Sequence, residues 1–208
     1  MNGLGLTDEQ LQAKLKWWEK TVEYFFIQKY VSESIIAPLD GNEELAGDAL
    51  LSNNQKWVII EFKDRASSLN SEMKKFKSYE RAKQELQDHD HHHCLIYGKI
   101  KNGKFDLGAQ TYFSRKGIGT LENFLKSGLR KDEFIQYLQK LVSYKAEVGS
   151  TGSVGSYSFV AGISKNNKIT SCMSLYEFGL ENDLKLEATP KQEKEREHEL
   201  SRGFDMEM

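Results

Sequence analysis

The run Trp57-Val58-Ile59-Ile60-Glu61-Phe62-Lys63 constrains this chain more than any other stretch. A short apolar run rich in β-branched residues predicts a strand buried on both faces, inside a sheet that helices cover on each side. Glu61 and Lys63 interrupt it. Interior charges are costly unless they are paired or bound to metal. The two are therefore either an internal ion pair or part of a site.

Strand geometry puts Trp57, Ile59, Glu61 and Lys63 on one face. A second apolar run, Leu45 to Leu51, precedes them, and the polar Ser52-Asn53-Asn54-Gln55 between the two predicts a hairpin. With Asn53-Asn54 at the tip, residue 48 faces residue 59. Asp48 then shares a face with Glu61, on a diagonal of roughly 7–8 Å. A slip of one residue would send Asp48 to the other face. Two carboxylates suit a hard cation such as Mg²⁺, with Mn²⁺ as a substitute, and the Phe62 carbonyl could add an oxygen. Such a metal polarises a phosphate and acidifies an attacking water. Lys63 would orient that water or neutralise developing charge, and its own pKa would be depressed by the metal.

Gly47-Asp48 followed by Glu61-Phe62-Lys63 resembles the PD-(D/E)xK nuclease superfamily, with glycine where the motif name has proline. The resemblance covers about residues 15–113. It implies a restriction-endonuclease-like α/β (α+β) core: a helix, three antiparallel strands, a helix and a further strand. It also implies metal-dependent hydrolysis of phosphodiester bonds, with Asp48, Glu61 and Lys63 as catalytic residues. The family's first helix often supplies a glutamate. Glu23 is the choice here, with Glu19 one turn earlier as competitor. A Gln-x-x-x-Tyr motif found in some exonuclease branches is absent, since Lys75 stands four residues before Tyr79.

The remaining elements fit a mixed sheet flanked by helices in one domain, 1–180, with an extra C-terminal hairpin. Residues 7–31 predict one helix, capped by Thr7 with Gln10, with an apolar stripe of Leu11, Leu15, Trp18, Val22 and Phe25. Residues 68–88 predict a charged amphipathic helix carrying Leu69, Met73, Phe76, Ala82 and Leu86. Cys94–Ile100 and Phe105–Phe113 predict strands about Lys101-Asn102-Gly103-Lys104. A helical stretch over 120–147 breaks near Gly128. Tyr157–Ile163 and Ile169–Phe178 predict a hairpin about Lys165-Asn166-Asn167-Lys168. The Gly-Ser stretch 149–156 lacks the ending of a phosphate loop and reads as a connector or a flap.

The net charge of -2 conceals an asymmetry. The tail 181–208 holds five basic and nine acidic residues, leaving 24 basic and 22 acidic in the body. The tail reads as frayed helix or disorder, through which a second copy or a protein partner could dock. Segment 99–131 carries eight Lys/Arg against two acids. Lys74, Lys75, Arg115 and Lys116 are the candidate contacts to a nucleic-acid backbone, DNA first, with RNA open. The His89–His93 cluster lacks the paired spacing of a zinc site and reads as a solvated turn. Tyr112 and Phe113 read as core. With 38% hydrophobic residues, no spanning apolar run, no leader pattern and two cysteines, the expectation is a cytoplasmic protein with no membrane segment. Two alternatives to a free-standing nuclease remain: a non-catalytic module that keeps the fold, and a toxin or defence component acting with a partner.

Overall fold

Every residue of the strand β1 (Lys56–Lys63) after Lys56 is buried, which places it inside a sheet. The computed structural model describes residues 6–31, 55–145 and 158–184. In chain order the other elements are α1 (Asp8–Lys14), α2 (Glu19–Tyr30), a 3₁₀ segment (Ala66–Lys75), α3 (Tyr79–Leu86) with a 3₁₀ turn after it (Gln87–His89), β2 (His93–Lys101), β3 (Lys104–Thr111), α4 (Leu121–Lys126), α5 (Lys131–Tyr144), β4 (Ser158–Ile163), β5 (Ile169–Ser174) and α6 (Leu175–Glu181). The five strands form one mixed sheet in the order β3-β2-β1-β4-β5. Only β1 and β2 are parallel, because the 3₁₀ segment and α3 carry the chain back across the sheet between them.

Alternation along β1 divides the core. Val58, Ile60 and Phe62 pack with Val22 and Phe26 of α2 and with Leu121, Phe124 and Leu125 of α4. Trp57 and Ile59 pack on the opposite face with Leu86 of α3, Phe134 and Leu138 of α5, and Phe178 of α6. Side chains such as Ile59 and Ile60 are wholly buried, each worth about 1.5–3 kcal/mol of transfer free energy. The expected mixed sheet flanked by helices is therefore present. Among the described residues no helix is long and apolar enough to cross a membrane.

Several local expectations give way. Residues 7–31 form two helices, and Leu15 and Trp18 of the expected stripe are 46% and 78% exposed. The reason is the extended link at 15–18, where Trp17 takes the buried place instead. The helix expected over 68–88 is a 3₁₀ segment and a short α-helix separated at Phe76–Ser78, with Met73 exposed. The second hairpin strand stops at Ser174, whose side chain caps α6 through a capping box with Glu177.

The largest correction concerns the sheet. The hairpin expected at the C-terminus is no appendage: β4 pairs directly with β1. Ile59 faces His93 of β2 along one edge and Val160 of β4 along the other. A strand has two edges, so the register that set residue 48 opposite Ile59 has no edge left to use. The run 45–51, Asp48 included, lies outside the described residues, as does the Gly-Ser stretch. Where the resemblance implies three antiparallel strands before the second helix, β1 alone is described, and its antiparallel neighbour comes from β4.

Candidate active site at the end of β1

Glu61 and Lys63 point to the face of β1 that carries Trp57 and Ile59, near its C-terminal end. Both are almost wholly buried, at 1% and 4% exposure. Ionised groups in such a place need partners, and the surrounding elements supply them. The 3₁₀ segment brings Glu72 and Lys75, α2 brings Glu19, the residue ending α5 is Lys145, and β4 opens with Ser158, the cross-strand partner of Glu61.

These groups form a chain of alternating charge. Lys63 Nζ lies 2.9 Å from Glu19 Oε1 and 2.8 Å from Glu72 Oε1. Lys75 Nζ lies 2.8 Å from the same Glu72 oxygen and 3.2 Å from Glu61 Oε2. Lys145 Nζ ends the chain 3.6 Å from Glu61 Oε1. Neutral donors complete it: Ser158 Oγ donates to Glu61 Oε1 at 2.6 Å, and Tyr112 Oη donates to Glu72 Oε2 at 2.8 Å. Tyr112 in turn stacks on His93, with ring centroids 4.0 Å apart.

The electrostatics follow from this order. Burial alone would raise the pKa of Glu61, but Lys75 and Lys145 outweigh it and hold the carboxyl well below the usual range. Burial alone would lower Lys63, and Glu72 reverses that, so the net shift is upward. Lys145 is the weakest cation of the three, because burial lowers its pKa by more than Glu61 restores. His93 is held well below its ordinary value by burial.

The candidate residues fall into three groups. Glu61 and Lys63 enter the same cluster from their shared face, linked through Glu72 and Lys75, and Phe62 between them pairs with Ile96 in the β1–β2 ladder. Of the two helix glutamates, Glu19 reaches Lys63, while Glu23 pairs with Lys20 at 2.8 Å. Glu23 is therefore not the residue that α2 brings to Lys63. Lys75 is not an outward contact for nucleic acid but a member of the buried chain. Lys74 and Lys116 are exposed, and the half-buried Arg115 donates to Tyr79 Oη at 3.4 Å. The histidine turn is only partly solvated. His92 and His93 are wholly buried, with His93 Nδ1 3.0 Å from Tyr137 Oη. Tyr112 and Phe113 are core, and both cysteines are free thiols.

Sequence reading missed Glu72, Lys145 and Ser158. Compared with family models, curated proteins and solved structures, the chain matches none. The chemistry of the cluster rests on its own geometry.

Two of the cluster's carboxylates already share one cation. The Lys75 ammonium is lodged between Glu61 and Glu72, and its side chain is 21% exposed. Glu61 is ionised, as a ligand to Mg²⁺ must be. Among the described residues no three of His, Cys, Asp and Glu converge to hold a metal. A further acidic ligand beside Glu61 would come from outside them, where Asp48 lies.

Proposed function

We propose that this protein is a divalent-metal-dependent nuclease hydrolysing phosphodiester bonds, with DNA as its first substrate class. The observation that carries this reading is the buried chain of alternating charge at the carboxyl end of β1, which joins Lys63 to Glu61 through Glu72 and Lys75. Ligand sites of open α/β sheets form beyond strand ends of this kind. Glu61 would hold the metal, and the motif resemblance, in place of the hairpin register, offers Asp48 and the Phe62 carbonyl as the other protein oxygens. The bound metal supplies charge neutralisation at the phosphate and a more acidic water.

The chain's own side chains do the rest. Ser158 and Lys145 fix the Glu61 carboxylate. Glu19 and Glu72 keep Lys63 protonated and aimed along the strand face, where it can offset charge on a phosphate oxygen. Lys75 must leave Glu61 before a metal can take its place.

The test is a cleavage panel in Mg²⁺ and Mn²⁺ on supercoiled, linear and single-stranded DNA and on RNA, with Glu61→Gln and Lys63→Ala as controls. Cleavage by the parent and none by the variants is expected. A parent that cuts nothing, or variants that cut equally well, overturns the reading.

One observation favours a second reading, a nucleic-acid-binding module that keeps the fold without catalysis. Glu61 and Glu72 are each neutralised by lysines already in place, an arrangement sufficient for structure alone. Calorimetry separates the two: saturable binding of Mn²⁺ that Glu61→Gln abolishes belongs to the nuclease, and its absence belongs to the module.

A further inference from the structure

Two residues that flank Trp18 are pinned to successive residues at the end of β1. Trp17, 8% exposed, donates its indole N–H to the Asp64 carbonyl and packs edge-on against Phe105, with centroids 5.2 Å apart. Glu19 holds Lys63 at 2.9 Å. Trp18 lies between them with extended backbone, φ -109° and ψ 166°. Neighbouring side chains of an extended chain point opposite ways. With Trp17 inside, Trp18 stands 78% exposed, one residue from the carboxylate that reaches Lys63.

Leaving an indole in water forgoes one of the largest apolar contributions a side chain can make. An exposed apolar patch with a polar rim is characteristic of a binding surface. The neighbours here include lysines, of which Lys20 is paired with Glu23. The link reads Lys14-Leu15-Lys16-Trp17-Trp18-Glu19-Lys20, and Lys14, Lys16 and Lys20 are all exposed, as is Leu15. Arg65 lies on the Trp17 side of the link, its guanidinium 5.3 Å from that ring, 3.4 Å from Asp64 and donating to the Leu15 carbonyl at 3.4 Å.

A flat exposed ring flanked in the chain by the exposed Lys14 and Lys16, one residue from the carboxylate that reaches Lys63, fits one ligand chemistry: an unpaired base whose flanking phosphates carry the negative charge. Bases inside a duplex are already stacked and offer Trp18 no open face. We infer that Trp18 is a stacking platform for an unpaired base, which makes the substrate class single-stranded or locally unpaired nucleic acid. The inference rests on the nuclease reading for the ligand being a nucleic acid. A lipid surface also attracts Trp, Leu and Lys, but it does so through an amphipathic helix. Trp18 sits instead on an extended link next to an acid committed to Lys63.

The experiment is fluorescence anisotropy in EDTA, so that nothing is cut. The probes are a labelled single-stranded DNA of about 15 nucleotides and a hairpin duplex of the same length. The parent is expected to favour the single strand. Trp18→Ala should weaken single-strand binding about tenfold, Trp18→Phe should keep most of it, and duplex binding should stay within about twofold. Equal single-strand affinity in parent and Trp18→Ala overturns the inference. So does an equal loss on duplex, or Trp18-dependent binding to phosphatidylserine vesicles in place of DNA. Cleavage in Mg²⁺ is measured alongside. A parent that cuts normally with or without Trp18 defeats only the stacking role, whereas a parent that neither binds nor cuts any nucleic acid defeats both.

Discussion

Lys75 reaches from the 3₁₀ segment to Glu61 and stops 3.2 Å from its carboxylate, with Glu72 2.8 Å away on the other side. The ammonium thus sits where two buried carboxylates would otherwise repel each other. Replacing Lys75 with Met should leave Glu61 with Lys145 and Glu72 with Lys63 as their remaining cations and cost about 3 kcal/mol of stability. Mn²⁺ should restore more of that loss in Lys75→Met than it adds to the parent, because no tethered cation competes. A ligand at a hundred times its dissociation constant contributes about 2.7 kcal/mol. Thermal unfolding with and without Mn²⁺ reads both effects. If Mn²⁺ leaves the melting temperature of the variant unmoved, Lys75 is not standing in for a metal.

How far the sequence reaches is clearest at β1. Periodicity and burial cost located the strand and the face of Glu61 and Lys63, because those depend on neighbours in sequence. The partners of that face were not legible. Glu72 sits in a segment whose composition predicts an ordinary amphipathic helix. Lys145 ends α5 at a position that resembles any C-terminal lysine. Ser158 becomes a ligand of Glu61 only because β4 pairs with β1, a contact 97 residues apart. The expected hairpin register failed for the same reason. Local turn chemistry suggested a neighbour for β1, and long-range pairing supplied β2 and β4 instead. By contrast the Asn102-Gly103 turn was legible, since both residues need positive φ, at 53° and 72°.

His92 gives the protein an acid-sensitive core. It is wholly buried, with Tyr137 4.3 Å away ring to ring, and burial lowers its pKa from 6.5 to about 3. The folded state therefore keeps His92 neutral while the unfolded chain takes up a proton below pH 6.5. Stability is full above that pH and falls as pH drops from 6.5 towards 3. The upper limit of the loss is about 4–5 kcal/mol at 1.36 kcal/mol per unit. His92→Phe should flatten this part of the stability–pH curve in urea unfolding followed by circular dichroism. An unchanged slope between pH 6 and 4 would assign the acid sensitivity elsewhere.

Gly98 permits the anchor that sets the α1–α2 link. A Cβ at this position would collide with the Trp17 indole nitrogen and come within 2.9 Å of the Asp64 carbonyl. Gly98→Ala should therefore push Trp17 off β2 and cost about 1–3 kcal/mol, the usual range for overpacking. Near-ultraviolet circular dichroism should show a changed tryptophan signal. Native stability and spectrum in the variant would mean that Trp17 is not held at Asp64.

Glu19 and Glu23 lie one turn apart on α2 yet face different cations, Lys63 for the first and Lys20 for the second. Lys20 is 60% exposed, so its pair with Glu23 contributes little. The Lys63 side chain is 5% exposed, and losing Glu19 leaves it with Glu72 alone on that side. If the site cleaves phosphodiesters, Glu19→Gln should reduce the rate about tenfold by loosening Lys63, with little change in substrate affinity. Glu23→Gln should stay within about twofold of the parent. Steady-state kinetics on one DNA substrate distinguishes them. A rate that falls with Glu23→Gln but not with Glu19→Gln would reverse the assignment and return Glu23 to the site.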